Sequence, residues 1–495
     1  MTNTSYSVSP DGPAPYSFWV SSVAGVVFAA FLLISQVWFK SSSLNLIPTV
    51  GKGSRWARRK HFMQGNATQM FLDAYRNYKD SIAMITTAKT RDSILVPPKY
   101  LSELSKAPDD VISARKAVEE FIQSKYTTVG YELPIFVHVS RANLTPALND
   151  LNPAVADTIA KTIPRELTPT ADWNEVAINA KLLRIIAIAS SHVFVAVYGI
   201  AAIPTSLRPL IAPWLPMTRA LHKRLAEADA VFQHIVTDRQ EASKEGPLKH
   251  NDMLQWMLEA QTRVGELSTR DLALAQLGAS FAAIHTTTMT ATNVIYWLAA
   301  KPEFYPMLRE EIEQVLAESG GRFTTSALQN MKKTDSFIRL YSPQFPEANT
   351  FALVVTGSYV RKVLKPYQLS NGQTIPEGTS VEVPSVGVYQ VPDIYPNPNV
   401  FDALRFYKLR NEDDPAQINQ LQAAYVGVTN LGFSFGKHAC PGRVLAVNEI
   451  MMVLATLLRN YDIKLPDGVS DRYANLVMAD QNVPDPSKTI LIKQR

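Results

Sequence analysis

The sequence has 495 residues, and 46% of them are hydrophobic, which is enough to build a large buried core. A formal net charge of +5 is small for this length and gives no support to a nucleic-acid-binding protein. The single cysteine excludes an intramolecular disulfide and is typical of a reducing compartment.

A short polar tail, residues 1–16, precedes the first long apolar run. This run extends from Phe18 to Phe39 without a charged residue, and as a helix it would span about 30 Å of hydrocarbon. Aromatic residues near its ends, of the kind that anchor a helix at membrane interfaces, are Trp19 and Trp38. We therefore predict a transmembrane anchor at residues 17–39.

Two alternatives remain open for this run. A cleaved signal peptide has a shorter apolar stretch behind a basic segment, and a buried core helix is seldom so long. Only Asp11 is charged before the run, whereas several basic residues follow it, namely Lys40, Lys52, Arg55, Arg58, Arg59 and Lys60. The positive-inside rule then predicts a lumenal tail and a cytosolic chain, as in a single-pass protein of the endoplasmic reticulum membrane.

The next part of the chain mixes strand and helix patterns. We predict a strand near Ser93–Val96 and a helix that starts at Leu101–Leu104. Helical patterning covers much of Leu151 to Ile188 and returns, strongly amphipathic, from Leu225 to Arg239.

The longest helical pattern runs from Arg270 to Ala300, and Ser268 or Thr269 is its predicted cap. It contains the unusual run Thr286–Thr288, whose hydroxyls can bond back to helix carbonyls and bend the helix. Two small residues before this run leave room for a large group to approach, Ala282 and Ala283. A threonine-rich packing face is the alternative, and the spacing alone does not decide between the two.

Shorter elements follow in the last third of the chain. A helix with charges on one face is predicted from Pro302 to Ser319, and Asn371-Gly372 between apolar stretches predicts a tight hairpin. A proline-rich loop, Pro392 to Pro398, then leads to Phe401-Asp402-Ala403-Leu404-Arg405-Phe406.

The only cysteine, Cys440, lies in the stretch Phe433-Ser434-Phe435-Gly436-Lys437-His438-Ala439-Cys440-Pro441-Gly442-Arg443. The apolar run Val444 to Leu458 predicts a helix directly after it, with Pro441 in the first turn. Free N–H groups and the helix dipole then favour a thiolate, as do three basic neighbours, Lys437, His438 and Arg443.

A soft, anionic, single sulfur ligand suits iron held in a macrocycle. A small buried structural cysteine is the alternative, although the turn-forming and basic flanks of Cys440 are atypical of one. A zinc site built on His438 and Cys440 has little support, because the chain offers no second cysteine.

The cysteine stretch resembles the haem-binding signature of cytochromes P450, Phe-x-x-Gly-x-x-x-Cys-x-Gly. Phe433, Gly436, Cys440 and Gly442 match it, and His438 stands where the family has a basic residue. The resemblance implies that Cys440 is the axial ligand of haem b iron. It also implies that Phe433 packs near the sulfur and that His438 meets a haem propionate.

The central helical pattern resembles the distal motif of the same family, Ala/Gly-Gly-x-Asp/Glu-Thr. It matches over Ala282–Thr287, with Ala283 in place of the glycine and His285 in place of the acid. The resemblance makes Thr286 the hydroxyl that hydrogen-bonds dioxygen and, with His285 beside it, helps to deliver protons. Ala-Ile-His-Thr-Thr is similar to a fungal subgroup that oxidises terpenoids and related secondary metabolites.

Two further segments resemble the family. Arg361, within Val-Arg-Lys-Val, stands where P450s often have a propionate-binding arginine. The hexapeptide that contains Arg405 is similar to the segment whose arginine closes a structural salt-bridge network.

One family motif is missing, because Glu-x-x-Arg occurs nowhere in the chain. At its expected place Asp335–Arg339 runs into Leu340–Pro346, where two prolines cannot continue a helix. We therefore expect Arg405 to be a buried, unpaired cation, at a cost of roughly several kcal/mol.

Either the gene is mis-spliced or read in a shifted frame around residues 340–360, or the protein is degenerate. The first explanation is favoured, because similarity resumes at Arg361. A second departure is a shortened segment near Ser191–Arg208.

We therefore expect a mainly α fold with a small β region, the cytochrome P450 fold, as one catalytic domain at residues 40–495 behind a transmembrane helix. The resemblance implies a monooxygenase that inserts one oxygen atom of O2 into a lipophilic small molecule. Its electrons would come from NADPH through a separate cytochrome P450 reductase, because the chain has no nicotinamide or flavin motif. The alternative is a catalytically impaired, P450-like membrane protein that binds a ligand without turnover.

Overall fold

The computed structural model describes residues 44–495 except residues 45, 90, 129–133, 169, 187–206, 243–250, 340–356, 394, 399 and 411–419. The predicted tail and transmembrane anchor lie outside the described residues. So do the segment around 340–356 and most of the shortened segment near residue 200. Within the described part of the chain, no helix has both the length and the apolar character that a membrane span requires.

Thr49–Arg495 forms one compact unit. Met1–Pro48 forms a separate unit, of which only residues 44 and 46–48 are described. The elements below all belong to Thr49–Arg495.

Helices make up most of this unit. In its first half they are α1 (Arg55–His61), α2 (Ala67–Asn77), α3 (Leu101–Leu104), α4 (Ala114–Phe121), α5 (Ser124–Thr127), α6 (Pro134–Val139), α7 (Thr145–Leu167), α8 (Ile178–Ile186), α9 (Arg208–Ile211) and α10 (Pro216–Ala242). In its second half they are α11 (Met253–Val264), α12 (Thr269–Ala300), α13 (Tyr305–Glu318), α14 (Thr325–Asn330), α15 (Lys332–Ile338), α16 (Ser385–Val388), α17 (Arg405–Arg410) and α18 (Arg443–Asn460).

The strands are short. They are β1 (Ala83–Ile85), β2 (Ser93–Leu95), β3 (Ile112–Ser113), β4 (Asn174–Val176), β5 (Ser358–Val363), β6 (Tyr367–Gln368), β7 (Thr374–Ile375), β8 (Ser380–Val383), β9 (Tyr461–Lys464), β10 (Asn475–Met478), β11 (Gln481–Pro484) and β12 (Ile490–Gln494). The largest sheet has the order β1-β2-β8-β5-β3, in which only β2 and β8 run parallel. A second sheet has the antiparallel order β4-β12-β9, and two hairpins pair β10 with β11 and β6 with β7. The prediction of a mainly α fold with a small β region is confirmed.

The long helix α12 begins and ends where its sequence dictates. The hydroxyl of Ser268 accepts the backbone N–H of Asp271 at 3.1 Å, so Ser268 is the cap of the two predicted residues. The carboxylate of Asp271 also complements the positive end of the helix dipole. Pro302 lies two residues after the last helical residue, Ala300, and cannot continue the helix.

The main core forms between α12 and α18. Buried side chains of α12 between Ala291 and Ala299 share one apolar cluster with Val447–Leu458 of α18 and with Leu308 and Ile312 of α13. This packing fixes the helix that follows the cysteine against the helix that carries the threonine run.

Several predicted local elements are confirmed, with shifted ends. The Asn371-Gly372 turn joins β6 to β7, and Gly372 has the positive φ of +83° that such a turn requires. The predicted amphipathic helix is longer, because α10 already starts at Pro216. The position expected for Pro441 is wrong: α18 starts at Arg443 with Gly442 as its cap residue, so the proline precedes the helix.

The expected state of Arg405 is also wrong. Arg405 is buried in α17, but its guanidinium donates hydrogen bonds to the backbone carbonyls of Asn397, at 3.0 Å, and Val400, at 2.6 Å. Carbonyl oxygens of the loop before α17 therefore accept hydrogen bonds from the guanidinium that was expected to have no partner.

Candidate functional site

The cysteine loop, Phe433–Arg443, is closed by its own backbone. The N–H of Cys440 donates to the carbonyl of Phe433 at 2.9 Å, and the N–H of Ala439 donates to the carbonyl of Gly436 at 3.0 Å. Gly436 has a φ of +70°, and a Cβ there would lie only 2.7 Å from Cβ of Ser105. Glycine is therefore required at this position for both its backbone conformation and its close contact.

The sulfur of Cys440 lies at the N-terminus of α18. The backbone N–H groups of Gly442 and Arg443 point at it, and such N–H groups have no partner within their own helix. Desolvation raises the pKa of the Cys440 thiol, and the two N–H groups and the charge of Arg443 oppose that rise. The residue as a whole is half-buried.

The other two basic residues of the loop meet one carboxylate. Nε2 of His438 lies 2.7 Å from Oδ1 of Asp109, and Nζ of Lys437 lies 2.9 Å from the same oxygen. Burial lowers the pKa of His438, while the hydrogen bond and charge of Asp109 act against that shift.

Arg361 reaches the loop from β5. It is buried, and its guanidinium donates to the carbonyl of Val360 at 2.9 Å and, more weakly at 3.4 Å each, to the Ser434 hydroxyl and the Phe435 carbonyl. It also stacks on the ring of Tyr359, 4.1 Å from the ring centre. Burial lowers the pKa of Arg361, and the charge of Asp109 acts against that shift, as any further anion beside the guanidinium would.

A cleft of about 460 Å³ opens beside the cysteine loop. Three of its lining residues are cations, Arg141, Lys437 and Arg443. Arg141 also donates to the backbone carbonyl of Lys437, so the cleft and the loop are structurally coupled.

The threonine run of α12 divides between two environments. Thr286 is exposed, and its hydroxyl donates to the carbonyl of Ala282 at 2.9 Å, as expected for a helical threonine. Ala283, three residues earlier on the same face, is exposed too. Thr287 and Thr288 are buried, so the packing alternative holds for these two residues.

The two predicted catalytic residues point in different directions. His285 is buried whereas Thr286 is exposed, because successive helical residues differ by about 100° around the axis. The structure thus brings Phe433, Gly436, His438, Cys440, Gly442 and Arg361 together around one loop. His285 and Thr286 come from α12, which packs on α18.

Sequence reasoning missed the residues that hold the loop from outside. These are Ser105, Asp109 and Arg141. Nothing in the local sequence marks them, because each lies about 300 residues or more before its partner in the loop. Within the described part of the chain, no group of three or more His, Cys, Asp or Glu side chains is placed to hold a metal ion, which gives the zinc alternative no support there.

Comparison with known proteins identifies the fold around this loop. The family model of cytochrome P450 matches residues 201–482. The chain belongs to the cytochrome P450 family. Among its relatives, cytochrome P450 monooxygenase ATR3 of Stachybotrys chlorohalonatus is 35% identical over 465 residues, which cover 88% of this chain and 95% of the relative.

Two further fungal relatives align over nearly the whole chain. Cytochrome P450 monooxygenase AN1598 of Emericella nidulans is 32% identical over 508 residues, 96% of this chain and 92% of the relative. Ent-kaurene oxidase P450-4 of Gibberella fujikuroi is 31% identical over 510 residues, 95% of this chain and 97% of the relative. P450s are oxidoreductases that carry haem on a cysteine thiolate and use O2 with NADPH-derived electrons from a reductase, so this chain is a P450 monooxygenase with those cofactors.

Proposed function

We propose that this P450 inserts one oxygen atom of O2 into a terpenoid-type intermediate of fungal secondary metabolism, and that Cys440 is the axial ligand of its haem. The name of one relative, ent-kaurene oxidase, supports the substrate class. The Ala-Ile-His-Thr-Thr sequence of α12 supports it as well. The observation that carries the proposal is the sulfur of Cys440, held in a closed loop with two backbone N–H groups aimed at it.

The side chains around the loop fit a haem. Sγ of Cys440 supplies one soft ligand, and the N–H groups of Gly442 and Arg443 stabilise its negative charge. Arg361 supplies a cation, and His438 a ring nitrogen, for carboxylates such as the propionates of haem. Space is available at Gly442, where a Cβ would meet no atom within 4 Å.

Bound haem supplies a redox-active iron that activates O2 with electrons from NADPH. The residues of this chain have other tasks. Phe433 packs its ring against the main core and fixes the loop through its carbonyl, and Gly436 lets the 105–109 region approach. We assign Thr286 the task of orienting a hydrogen bond at the exposed face of α12, and His285 the task of holding a proton behind it.

The remaining proposals concern the location of the protein in the cell and its redox partner. We place the protein in the endoplasmic reticulum membrane, with residues 1–16 lumenal, residues 17–39 as a single span and residues 40–495 in the cytosol. The apolar run from Phe18 to Phe39 supports this topology. The cationic cleft at Arg141, Lys437 and Arg443 supports docking of an acidic surface on the NADPH–cytochrome P450 reductase.

The test is expression of the full chain in microsomes with a P450 reductase. We expect the carbon-monoxide difference spectrum of a thiolate-ligated haem. With heavy-oxygen-labelled O2 and a set of terpenoid hydrocarbons, we expect one labelled oxygen atom in a product. A chain that takes up no haem but still binds terpenoids would overturn the proposal in favour of a binding protein without turnover.

A further inference from the structure

The segment Ser105–Asp109 touches the cysteine loop at consecutive positions. Ser105 packs against Gly436, so closely that only a glycine fits there. Nζ of Lys437 donates to the carbonyl of Ala107 at 3.0 Å, and Asp109 meets both Lys437 and His438. The segment therefore follows the loop along three adjacent residues, although it lies about 330 residues earlier in the chain.

Asp109 is the anion in a cluster of cations. Its carboxylate touches Lys437 and His438, and its charge also acts favourably on the guanidinium of Arg361. Two side chains that carry a full positive charge, Lys437 and Arg361, thus act on one carboxylate, which leaves positive charge for a second anion.

The contact also fixes the imidazole of His438. Nε2 faces Oδ1 of Asp109, so the ring has one set orientation, with Nδ1 directed away from Asp109. A histidine held in this way needs no reordering when another anionic group arrives, which lowers the entropic cost of binding.

We propose that Asp109 is a positioning residue for the haem-binding loop: it holds His438 and Lys437 in the orientation in which they receive a carboxylate of haem. The inference rests on the proposed haem function. The side chain of Asp109 is 58% exposed, so its ion pairs contribute little to the stability of the fold itself. Removal of its charge should therefore change haem retention and leave the haem-free chain almost unaffected.

The neighbouring residue provides a matched control. Asp110 forms an ion pair with Lys365 at 2.5 Å, and both side chains are exposed. Asp110→Asn removes the same charge one residue away without touching the cysteine loop.

The experiment compares the haem-loaded full chain with its Asp109→Asn, Asp109→Glu and Asp110→Asn variants. Transfer of haem to excess apomyoglobin gives the rate of haem loss, and thermal unfolding of the haem-free chains gives their stability. We expect Asp109→Asn to lose haem about threefold to tenfold faster, the range for the net contribution of one typical hydrogen bond. Asp109→Glu should restore much of the retention, and Asp110→Asn should stay within about twofold of the parent.

Two outcomes overturn the inference while the proposed function stands. One is equal haem loss from Asp109→Asn and Asp110→Asn. The other is a large drop in the unfolding temperature of the haem-free Asp109→Asn chain, which would make Asp109 a structural residue only. A parent chain that never binds haem overturns the proposed function, and this inference falls with it.

Discussion

The cysteine loop and helix α15 are both held by ion pairs, but these pairs lie at different depths. Around the loop, the side chains of Asp109 and Lys437 are 58% and 45% exposed. In α15, Asp335 pairs with Arg410, and their side chains are 11% and 3% exposed. Exposed pairs are worth about 0–1 kcal/mol, whereas breaking a buried pair costs about 3–5 kcal/mol.

Further hydrogen bonds to carboxylates fix α15 in addition to the Asp335–Arg410 ion pair. Glu311 of α13 accepts the backbone N–H groups of Lys333, at 2.6 Å, and Thr334, at 2.8 Å, and so caps the start of α15. Asp335 in addition accepts the N–H of Ala423. We therefore expect removal of an exposed charge beside the loop to cost little stability, and removal of a buried charge of α15 to cost much more.

The largest effect should come from Cys440→Ser. A serine oxygen is a poor ligand for the iron, so we expect complete loss of the thiolate-ligated carbon-monoxide spectrum and of turnover. The haem-free chain should unfold at nearly the parent's temperature, since the loop is closed by backbone bonds. A variant that keeps the spectrum and the activity would show that the loop serves another purpose.

The second-largest effect should distinguish a buried ion pair from an exposed one. Asp335→Ala leaves Arg410 buried without its carboxylate, and we expect the free energy of unfolding to fall by about 3–5 kcal/mol in urea titrations of the haem-free chain. Glu313→Ala, which breaks the exposed pair with Arg459, is the control and should cost less than about 1 kcal/mol. Equal losses in the free energy of unfolding for the two variants would show that buried and exposed ion pairs contribute alike.

A third prediction concerns pH and the helix after the loop. Burial raises the pKa of Glu449 in α18 from 4.5 to about 7. A raised carboxyl pKa means that the fold favours the protonated form, so stability falls as pH rises from about 4.5 to about 7. Glu449→Gln should therefore raise the free energy of unfolding by up to about 3 kcal/mol at pH 8 and change it little at pH 4. A variant with the parent's pH dependence would contradict this assignment.

The smallest effect tests the contact between the loop and Ser105. Gly436→Ala places a Cβ 2.7 Å from the Ser105 side chain at a φ of +70°, and we expect a loss of about 1–2 kcal/mol in the haem-free chain. Gly442→Ala is the matched control, with a negative φ and an open site, and should stay within about 0.5 kcal/mol. The measurement is the unfolding temperature of both haem-free variants. Equal decreases for the two would contradict a close contact at Gly436.

The sequence predicted best what depends on near neighbours. The helix after the cysteine and the cap of α12, at Ser268 or Thr269, are predicted from residues within a few positions, and the cysteine loop is identified by its resemblance to the family motif. Pro441 lies two residues before the first residue of α18, and not in its first turn, because Gly442 caps the helix without a side-chain signal.

What the sequence could not predict depends on the path of loops and on distant partners. The carbonyls of Asn397 and Val400 lie only eight and five residues before Arg405, but which carbonyls accept its hydrogen bonds depends on the irregular path of the loop before α17. Asp109 is one of many surface acids until the fold brings it to His438. Burial likewise divides His285 from Thr286, and only the packing of α12 reveals which of the two side chains is covered.

The hydrogen bond of Thr286 within α12 determines what its hydroxyl can bind. The hydroxyl hydrogen of Thr286 is already committed to the carbonyl of Ala282, so the oxygen presents only lone pairs to its surroundings. A water molecule at that face would donate to Thr286, and an anion would have to displace the helix carbonyl first, at a cost of about 1 kcal/mol. In this conformation the Thr286 hydroxyl therefore accepts a hydrogen bond from a bound molecule but has no hydrogen to donate to it.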